Sequence, residues 1–322
     1  MLKGKLPIVC TVPLLAVFLL MGIACQNVAR KPEVERNKEL AERYKEEPTI
    51  SLYVAETGKT KEIKLEEYIK GVVATEMDPT WPERALAAQA ILARTFTLKK
   101  IEEGGVEKRG TDASTDVEEF QAYDAARIND RVEKAVNMTR GEVVTYNGRL
   151  INGWFHADAG GQTAASAQEG LDYKDEKTPY IKSVKDPGFQ ITEPENKSWT
   201  AEFPLSEVRQ KIKQQTGSDP GNIQGVKVIS KGPSGRITRV QMGYTTISGN
   251  GLRLALGKDR MRSTLVEEMN VIDGRLVIRG RGYGHGVGMS QWGARKLAED
   301  GRSPEEIVRY FFRNVKIQKI WD

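Results

Sequence analysis

The sequence predicts an α+β fold in which a mixed, largely antiparallel sheet and several hairpins pack against helices. Short apolar, β-branched segments occur in pairs, and two of these pairs flank Asn147-Gly148 and Asp273-Gly274. Such two-residue turns are typical of hairpins, because both positions take positive φ. Stretches with helical periodicity lie between the pairs. Since hairpins outnumber parallel crossovers, a doubly wound fold is not expected.

Four hairpins are predicted, each joining two apolar or β-branched segments across a turn that contains glycine. Their strand pairs are 50–54 with 62–65, 143–146 with 150–154, 226–229 with 237–242, and 271–272 with 276–278.

Residues 1–25 indicate a signal peptide or membrane anchor. Lys3 and Lys5 precede a run from 6 to 24 without charge, and Cys25 follows it. The small residues before Cys25 resemble a lipoprotein cleavage site, although Gly22 stands where leucine is preferred. A lipidated Cys25 and an uncleaved helix therefore both remain open. Either would place the remainder of the protein outside the cytoplasm, anchored to the cell membrane.

Charge, cysteine content and the lack of nucleotide-binding motifs exclude several classes of protein. The 322 residues carry a formal charge of +5, mixed along the chain rather than clustered, so nucleic-acid binding is not expected. The two cysteines, Cys10 and Cys25, leave residues 26–322 without a disulfide or a cysteine zinc site. The chain has no Walker motif, and a nucleotide cofactor is unsupported. We interpret 26–48 as a charged spacer, either solvated chain or an exposed helix, and 49–322 as one catalytic domain.

The first candidate for chemistry is Glu76. In segment 66–77, Ile69, Val72 and Val73 define an apolar helical face, and Glu76 is the next member of that series. One interpretation is a partly exposed or ion-paired carboxylate. The other is a general acid, because burial disfavours the charged form and raises the pKa.

A second helix is predicted directly after this segment. Thr80 and Glu83 form a predicted capping box with Pro82 in the first turn. Gln89 and Arg94 interrupt its otherwise apolar sequence. Arg94 fits a solvated residue, a ligand of a substrate oxygen, or a group that orients Glu76, and the pattern does not choose between them.

Glycine takes every second position from Gly280 to Gly288. If this stretch is extended, one face carries only hydrogen and the other presents side chains that include Tyr283 and His285. Such glycines are explained either by close backbone packing or by the floor of a substrate groove, and we predict the groove. Ser290 is a predicted N-cap for a helix that contains Gln291 and Trp292.

The two histidines, His156 and His285, admit a metal site with Asp158. Ordinary hydrogen-bonded histidines are the favoured interpretation, and no metal or cofactor is expected.

Together these segments resemble the SpoIID family, also called the SpoIID/LytB domain. The resemblance covers about 49–320 in the right order, through motifs at 71–77, 81–89, 93–96, 160–161, 180–183, 249–253 and 284–293. It implies a SpoIID-like fold. It also implies a peptidoglycan lytic transglycosylase, a lyase that cuts between N-acetylmuramic acid and N-acetylglucosamine and leaves 1,6-anhydro ends, preferring peptide-stripped strands during sporulation engulfment.

The resemblance assigns catalysis to Glu76 and substrate binding to Arg94, Tyr180 and Lys182. We also expect substrate contacts from other residues in or beside the matching segments, namely Gln89, Tyr283, His285, Gln291 and Trp292. Some relatives bind zinc through cysteine and histidine in the loop that corresponds to 112–123, but this loop has neither residue type.

Implied partners are glycan strands, an amidase/endopeptidase and a membrane scaffold protein. Other relatives are described as amidase enhancers. The alternative is therefore a non-catalytic, wall-binding protein that stimulates an N-acetylmuramoyl-alanine amidase.

Overall fold

A computed structural model describes residues 31–322. The predicted anchor and the first residues of the predicted spacer, 26–30, lie outside the described residues. Within 31–322, no helix has both the length and the apolar character needed to cross a bilayer.

Helices and strands alternate irregularly along the chain. The α-helices are α1 Glu33–Arg43, α2 Leu65–Glu76, α3 Glu83–Glu102, α4 Asp130–Met138, α5 Ala167–Leu171, α6 Pro194–Lys197, α7 Leu205–Thr216, α8 Gly249–Leu256, α9 Gln291–Glu299 and α10 Pro304–Phe311. Two short 3-10 helices cover Ala125–Arg127 and Pro187–Gln190.

The strands are β1 Thr49–Val54, β2 Lys59–Lys64, β3 Ala113–Ser114, β4 Glu142–Tyr146, β5 Arg149–Leu150, β6 Phe155–His156, β7 Trp199–Pro204, β8 Val226–Lys231, β9 Ile237–Met242, β10 Thr245–Ser248, β11 Val266–Ile272, β12 Arg275–Gly280, β13 Met289–Ser290 and β14 Lys316–Lys319. They form small sheets in the orders β2-β1-β3, β14-β4-β5, β10-β9-β8, β11-β12-β7 and β13-β6. Pairing is antiparallel except for β1 with β3 and β6 with β13.

The α+β class and the four hairpins are confirmed. The turn residues Asn147 and Asp273 have φ of 49° and 47°, and each is followed by a glycine with positive φ. One detail differs, since β5 contains only two residues and the chain after it leaves the sheet.

The first core is built around α3, which packs against α2, α4, α9 and α10. Alanines at 85, 87, 88, 90 and 93 are fully buried, and their small side chains let these neighbours approach closely. A second core lies between the sheets β11-β12-β7 and β10-β9-β8 and the helices α7 and α8. Phe203, Ile237, Val240 and Leu276 are fully buried there.

Helix α1, which lies within the predicted spacer, packs on the first core. Leu40 is buried within that core, and Arg43 forms an ion pair with Glu102 on α3. Residues 33–322 form one compact unit. A single buried leucine in a charged helix gives almost no periodic signal, so the sequence resembled a solvated spacer.

The predicted capping box at Thr80 is also wrong. Helix α3 begins at Glu83 with Pro82 as its N-cap, while Thr80 donates through its amide and its hydroxyl to Asp78 at 2.8 and 2.7 Å. The predicted cap at Ser290 is confirmed, since its hydroxyl accepts the amide of Gly293.

Candidate active site

Glu76 is the last residue of α2. Ile69, Val72 and Val73 are fully buried on the same face of the helix, whereas Glu76 is partly exposed where that face reaches the surface. At Met77 the backbone becomes extended and the chain turns towards α3. The helix thus holds the carboxyl group at the boundary between core and solvent.

The surroundings of Glu76 favour its protonated form. Burial raises the pKa of its carboxyl group, and the amide of Ala122, which donates to Oε1 at 3.0 Å, offsets part of that rise. The C-terminal end of a helix carries partial negative charge, which also disfavours a carboxylate there. A carboxyl group with a raised pKa beside solvent can act as a general acid near neutral pH.

The segment 120–124 forms a wall against α2. The ring of Tyr123 stacks on that of Tyr68 with centroids 5.4 Å apart and planes 10° from parallel. Tyr123 lies so close to α2 that a β-carbon at Gly71 would overlap its ring. Gly71 therefore permits the contact that places the amide of Ala122 at Glu76.

The side chains of Gln89 and Gln121 are both buried. Gln121 donates from Nε2 to the hydroxyl of Thr97 at 2.9 Å. Gln89 is fully buried, and neither of its amide atoms has a hydrogen-bond partner among residues 31–322. The predicted contact of Gln89 with substrate does not fit this enclosed position.

Arg94 does not lie in a groove. Its side chain is fully buried and donates from Nε and Nη2 to both carboxylate oxygens of Glu66, at 3.0 and 2.7 Å. Such a position excludes contact with a polymer substrate in this conformation, so the predicted substrate role of Arg94 is corrected to a structural one.

Tyr180 and Lys182 are held by other elements. The hydroxyl of Tyr180, which is buried, accepts the amide of Asn152 at 3.0 Å. Lys182 donates from Nζ to the carbonyl of Arg309 at 3.2 Å. Burial and the nearby Arg313 lower the pKa of Lys182. Lys182 is therefore partly exposed and carries a charge, whereas Tyr180 is buried and neutral.

The predicted extended strand from Gly280 to Gly288 is wrong. Strand β12 ends at Gly280, and Gly282, Gly284, Gly286 and Gly288 all have positive φ. Alternating positive φ gives a looped backbone rather than a strand with one bare face. A β-carbon at Gly284 would lie 2.7 Å from that of His156, so close packing explains the glycines.

Tyr283 and His285 project from this loop towards the α8 end of the second core. Tyr283 donates to Asp259 at 2.6 Å, and the guanidinium of Arg262 lies 4.3 Å from its ring centre. Burial, Arg253 and Arg236 lower the pKa of His285 to about 3. His285 is therefore neutral near pH 7 and can donate or accept a hydrogen bond, but it does not supply a charge.

Trp292 and Trp81 form an aromatic edge near the end of α2. Their ring centres are 4.7 Å apart, and the guanidinium of Arg295 lies 5.0 Å from one and 5.1 Å from the other. Thr80 lowers the pKa of Asp78 through two hydrogen bonds, and Arg295 adds to this effect, so Arg295 also faces the chain just after Glu76. Gln291, beside Trp292, is buried.

The histidines share backbone partners. Nδ1 of His156 lies 3.1 Å from the carbonyl oxygen of Val287, and Nδ1 of His285 accepts the amide of Val287 at 3.0 Å. Their ring centres are 5.5 Å apart. Within 31–322, no group of three or more histidine, cysteine, aspartate or glutamate side chains is arranged to hold a metal ion.

Sequence reasoning missed four contributors to the site. Two of them could have been found from the sequence. Tyr68 is an aromatic residue on the buried face of α2, and Tyr123 belongs to a Gln121-x-Tyr123 motif. Trp81 begins the matching segment 81–89, but no role was assigned to it. The amide of Ala122 gives no sequence signal, because any residue except proline supplies one.

Comparison with known proteins identifies the class to which this fold and site belong. A family model described as a stage II sporulation protein, SpoIID, matches residues 53–146, and a model of a domain of unknown function, DUF8618, matches 181–288. The first match contains Glu76 and its wall, and the second contains most of the second core.

Two relatives are similar to this chain over most of its length, and a third over about three quarters of it. Stage II sporulation protein D of Bacillus subtilis is 31% identical over 87% of this chain and 82% of its own length. Stage II sporulation protein D of Bacillus amyloliquefaciens is 28% identical over 99% and 95%. The amidase enhancer of B. subtilis is 30% identical over 76% of this chain but 39% of its own length. The chain belongs to the SpoIID family.

Proposed function

We propose that this protein is a peptidoglycan lytic transglycosylase that acts on peptide-stripped glycan strands during sporulation. The observation that carries the proposal is the position of Glu76. A half-buried glutamate at a helix end, with a raised pKa and one backbone donor, is the arrangement expected of a single acid catalyst.

One carboxyl group suffices for this chemistry. Protonated Glu76 gives its proton to the oxygen of the bond between N-acetylmuramic acid and N-acetylglucosamine, and the bond from that oxygen to C1 breaks. The carboxylate then removes the proton of the 6-hydroxyl on the same N-acetylmuramic acid, whose oxygen bonds to C1. The 1,6-anhydro ring closes without water, so the second carboxylate of a hydrolase is not needed.

Other groups near Glu76 fit a sugar substrate. Trp81 offers a partly exposed aromatic face that packs on the buried Trp292, and Arg295, which lies against both rings, offers hydrogen-bond donors. The amide of Ala122 already points at the carboxyl group and fixes its orientation. Lys182, Tyr283 and His285 are proposed contacts for more distant parts of the strand.

The alternative function is a non-catalytic enhancer of a wall amidase. The similarity to the amidase enhancer of B. subtilis favours it. In that role Glu76 would need no raised pKa, so the desolvated carboxyl group is better explained by catalysis. Anchoring to the cell membrane through 1–25, and partnership with an amidase/endopeptidase and a membrane scaffold, belong to either proposal.

Product analysis separates the two functions. Peptide-free glycan strands are incubated with the purified protein alone, and the products are analysed by mass spectrometry. The proposal expects fragments with 1,6-anhydro ends, which are lighter by one water than hydrolysed ends. Reducing ends would contradict the transglycosylase, and intact strands together with stimulation of an added amidase would establish the enhancer.

A further inference from the structure

Tyr244 is an exposed aromatic residue far along the chain from the site of Glu76. It lies in the turn between β9 and β10 and is 91% exposed, more than any other large hydrophobic side chain in the described part of the protein. An aromatic ring this exposed gains nothing from burial in the fold. Single exposed apolar side chains are common on protein surfaces, so what distinguishes Tyr244 is the rigid turn that carries it and the cleft beside it.

Backbone contacts fix the turn that carries this ring. The amide of Tyr244 donates to the carbonyl of Pro220 at 2.9 Å, and a β-carbon at Gly243 would overlap that same oxygen. A β-carbon at Gly221 would lie 2.9 Å from the edge of the Tyr244 ring. Gly221 itself donates to Asp219, which pairs with Arg209 on α7. The turn is thus anchored to the second core while the ring remains in solvent.

The cleft beside the ring has a defined chemistry. It is shallow, about 400 Å³ in volume, and its lining side chains include the amides of Asn222, Gln224 and Gln241, together with Lys227. No carboxylate lines the cleft, so the charge of Lys227 is not neutralised within it. An aromatic face, neutral donors and acceptors and one cation match a pyranose ring with hydroxyl, N-acetyl and occasional carboxylate groups.

Other ligand classes fit less well. A nucleic acid requires several cations along its backbone, and this cleft presents one. The buried centre of a protein–protein interface is more apolar than its surroundings and poor in charged residues, whereas the cleft beside Tyr244 is lined by three amide side chains and Lys227.

We propose that Tyr244 and its amide-lined cleft form a second binding site for peptide-free glycan strands, separate from the site of Glu76. This inference rests on the proposed substrate class but not on catalysis. The sheet β10-β9-β8 belongs to the second core and Glu76 to the first, so the two sites engage different parts of one polymer. Binding at two points raises the affinity for long strands more than for short ones.

The test measures binding in the Glu76→Gln background, so that strands stay intact. Co-sedimentation with insoluble peptide-free glycan gives the affinity of the parent, Tyr244→Ala, Tyr244→Phe and Tyr244→Leu. Tyr244→Ala and Tyr244→Leu are expected to weaken binding about three- to tenfold, the range that aromatic contacts usually supply. Tyr244→Phe keeps the ring and is expected to bind nearly as the parent does. Melting temperatures should not change, because the side chain is exposed.

Several outcomes would overturn the proposal. These are equal binding by Tyr244→Ala and the parent, binding by Tyr244→Leu as strong as that of Tyr244→Phe, or weaker stimulation of an amidase with unchanged glycan affinity. The last would assign the turn to protein docking. Failure here is distinguishable from failure of the proposed function, because anhydro-product release by the otherwise wild-type protein tests Glu76 without reference to Tyr244.

Discussion

Arg94 and Glu66 form a buried, bidentate ion pair between α3 and α2, with N–O distances of 3.0 and 2.7 Å. Oε1 of Glu66 also accepts the amide of Gly141 and the indole N–H of Trp321, each at 3.0 Å. One carboxylate therefore ties two helices, the start of the β4 region and the C-terminal segment together. This buried network supports the helix that carries Glu76.

Replacing Arg94 with lysine is expected to destabilise the protein. Lysine keeps the charge but cannot satisfy both oxygens in the same geometry, and breaking a buried pair costs about 3–5 kcal/mol when one partner is removed. We expect Arg94→Lys to lose part of this amount and Arg94→Met to lose most of it, measured by urea unfolding. An unchanged unfolding midpoint together with lost glycan binding would contradict this structural role and would support the predicted contact of Arg94 with substrate.

A substitution in the glycine loop 280–288 is also expected to lower the stability of the protein. Gly286 and Gly301 have similar φ, 81° and 86°, but a β-carbon at Gly286 would overlap the guanidinium of Arg236, whereas nothing lies within 4 Å at Gly301. Arg236 is fixed by donating to the carbonyls of Ala159 and Gln162.

Gly286→Ala should therefore lower the free energy of unfolding by about 1–3 kcal/mol more than the matched control Gly301→Ala. The measurement is chemical unfolding of both variants. Equal losses would show that backbone strain alone, and not packing against Arg236, determines this position.

Asp158 gives a pH-dependent prediction. Burial, with Asp186 nearby, raises the pKa of its carboxyl group to about 6, from 3.8. The folded protein then binds more protons than the unfolded chain between these values, so stability falls as pH rises from about 4 through 6.

Asp158→Asn removes this penalty while it keeps an acceptor for the amide of Gly160. It should raise the free energy of unfolding by on the order of 1–2 kcal/mol at pH 8 and by much less at pH 4. The exposed Asp175→Asn serves as the control, with no comparable change at either pH. A gain that is the same at both pH values would show that titration of Asp158 is not its source.

The sequence was informative where a pattern is local. Hairpin turns such as Asn147-Gly148 and the helical face that ends at Glu76 depend on residues a few positions apart, and the structure places both as expected. Arg94 was misplaced because its partner, Glu66, lies 28 residues away and resembles any charge at a helix start. The glycine loop was misread because alternation alone does not distinguish an extended strand from a series of positive φ angles.

The central claim is that Glu76 is the acid catalyst, and Glu76→Gln tests it most directly. Glutamine keeps the size and an acceptor for the amide of Ala122, but it cannot transfer a proton. Because folding raises the pKa of Glu76, ionisation of this carboxyl group destabilises the folded protein. Glu76→Gln should therefore melt at the same or a higher temperature than the wild type at pH 8. This difference should vanish below about pH 4.5, where the carboxyl group is protonated in the folded and the unfolded protein. The matched control is Glu67→Gln on the exposed face of α2, where Glu67 pairs with Lys70.

The decisive measurement is the rate of release of 1,6-anhydro products from peptide-free strands at equal protein concentration. Glu76→Gln is expected to lose activity by about 10⁴-fold, the upper end for a general acid, since one residue serves both proton transfers. Glycan binding should be retained, and Glu67→Gln should act like the wild type. Product release by Glu76→Gln at the wild-type rate would contradict the account.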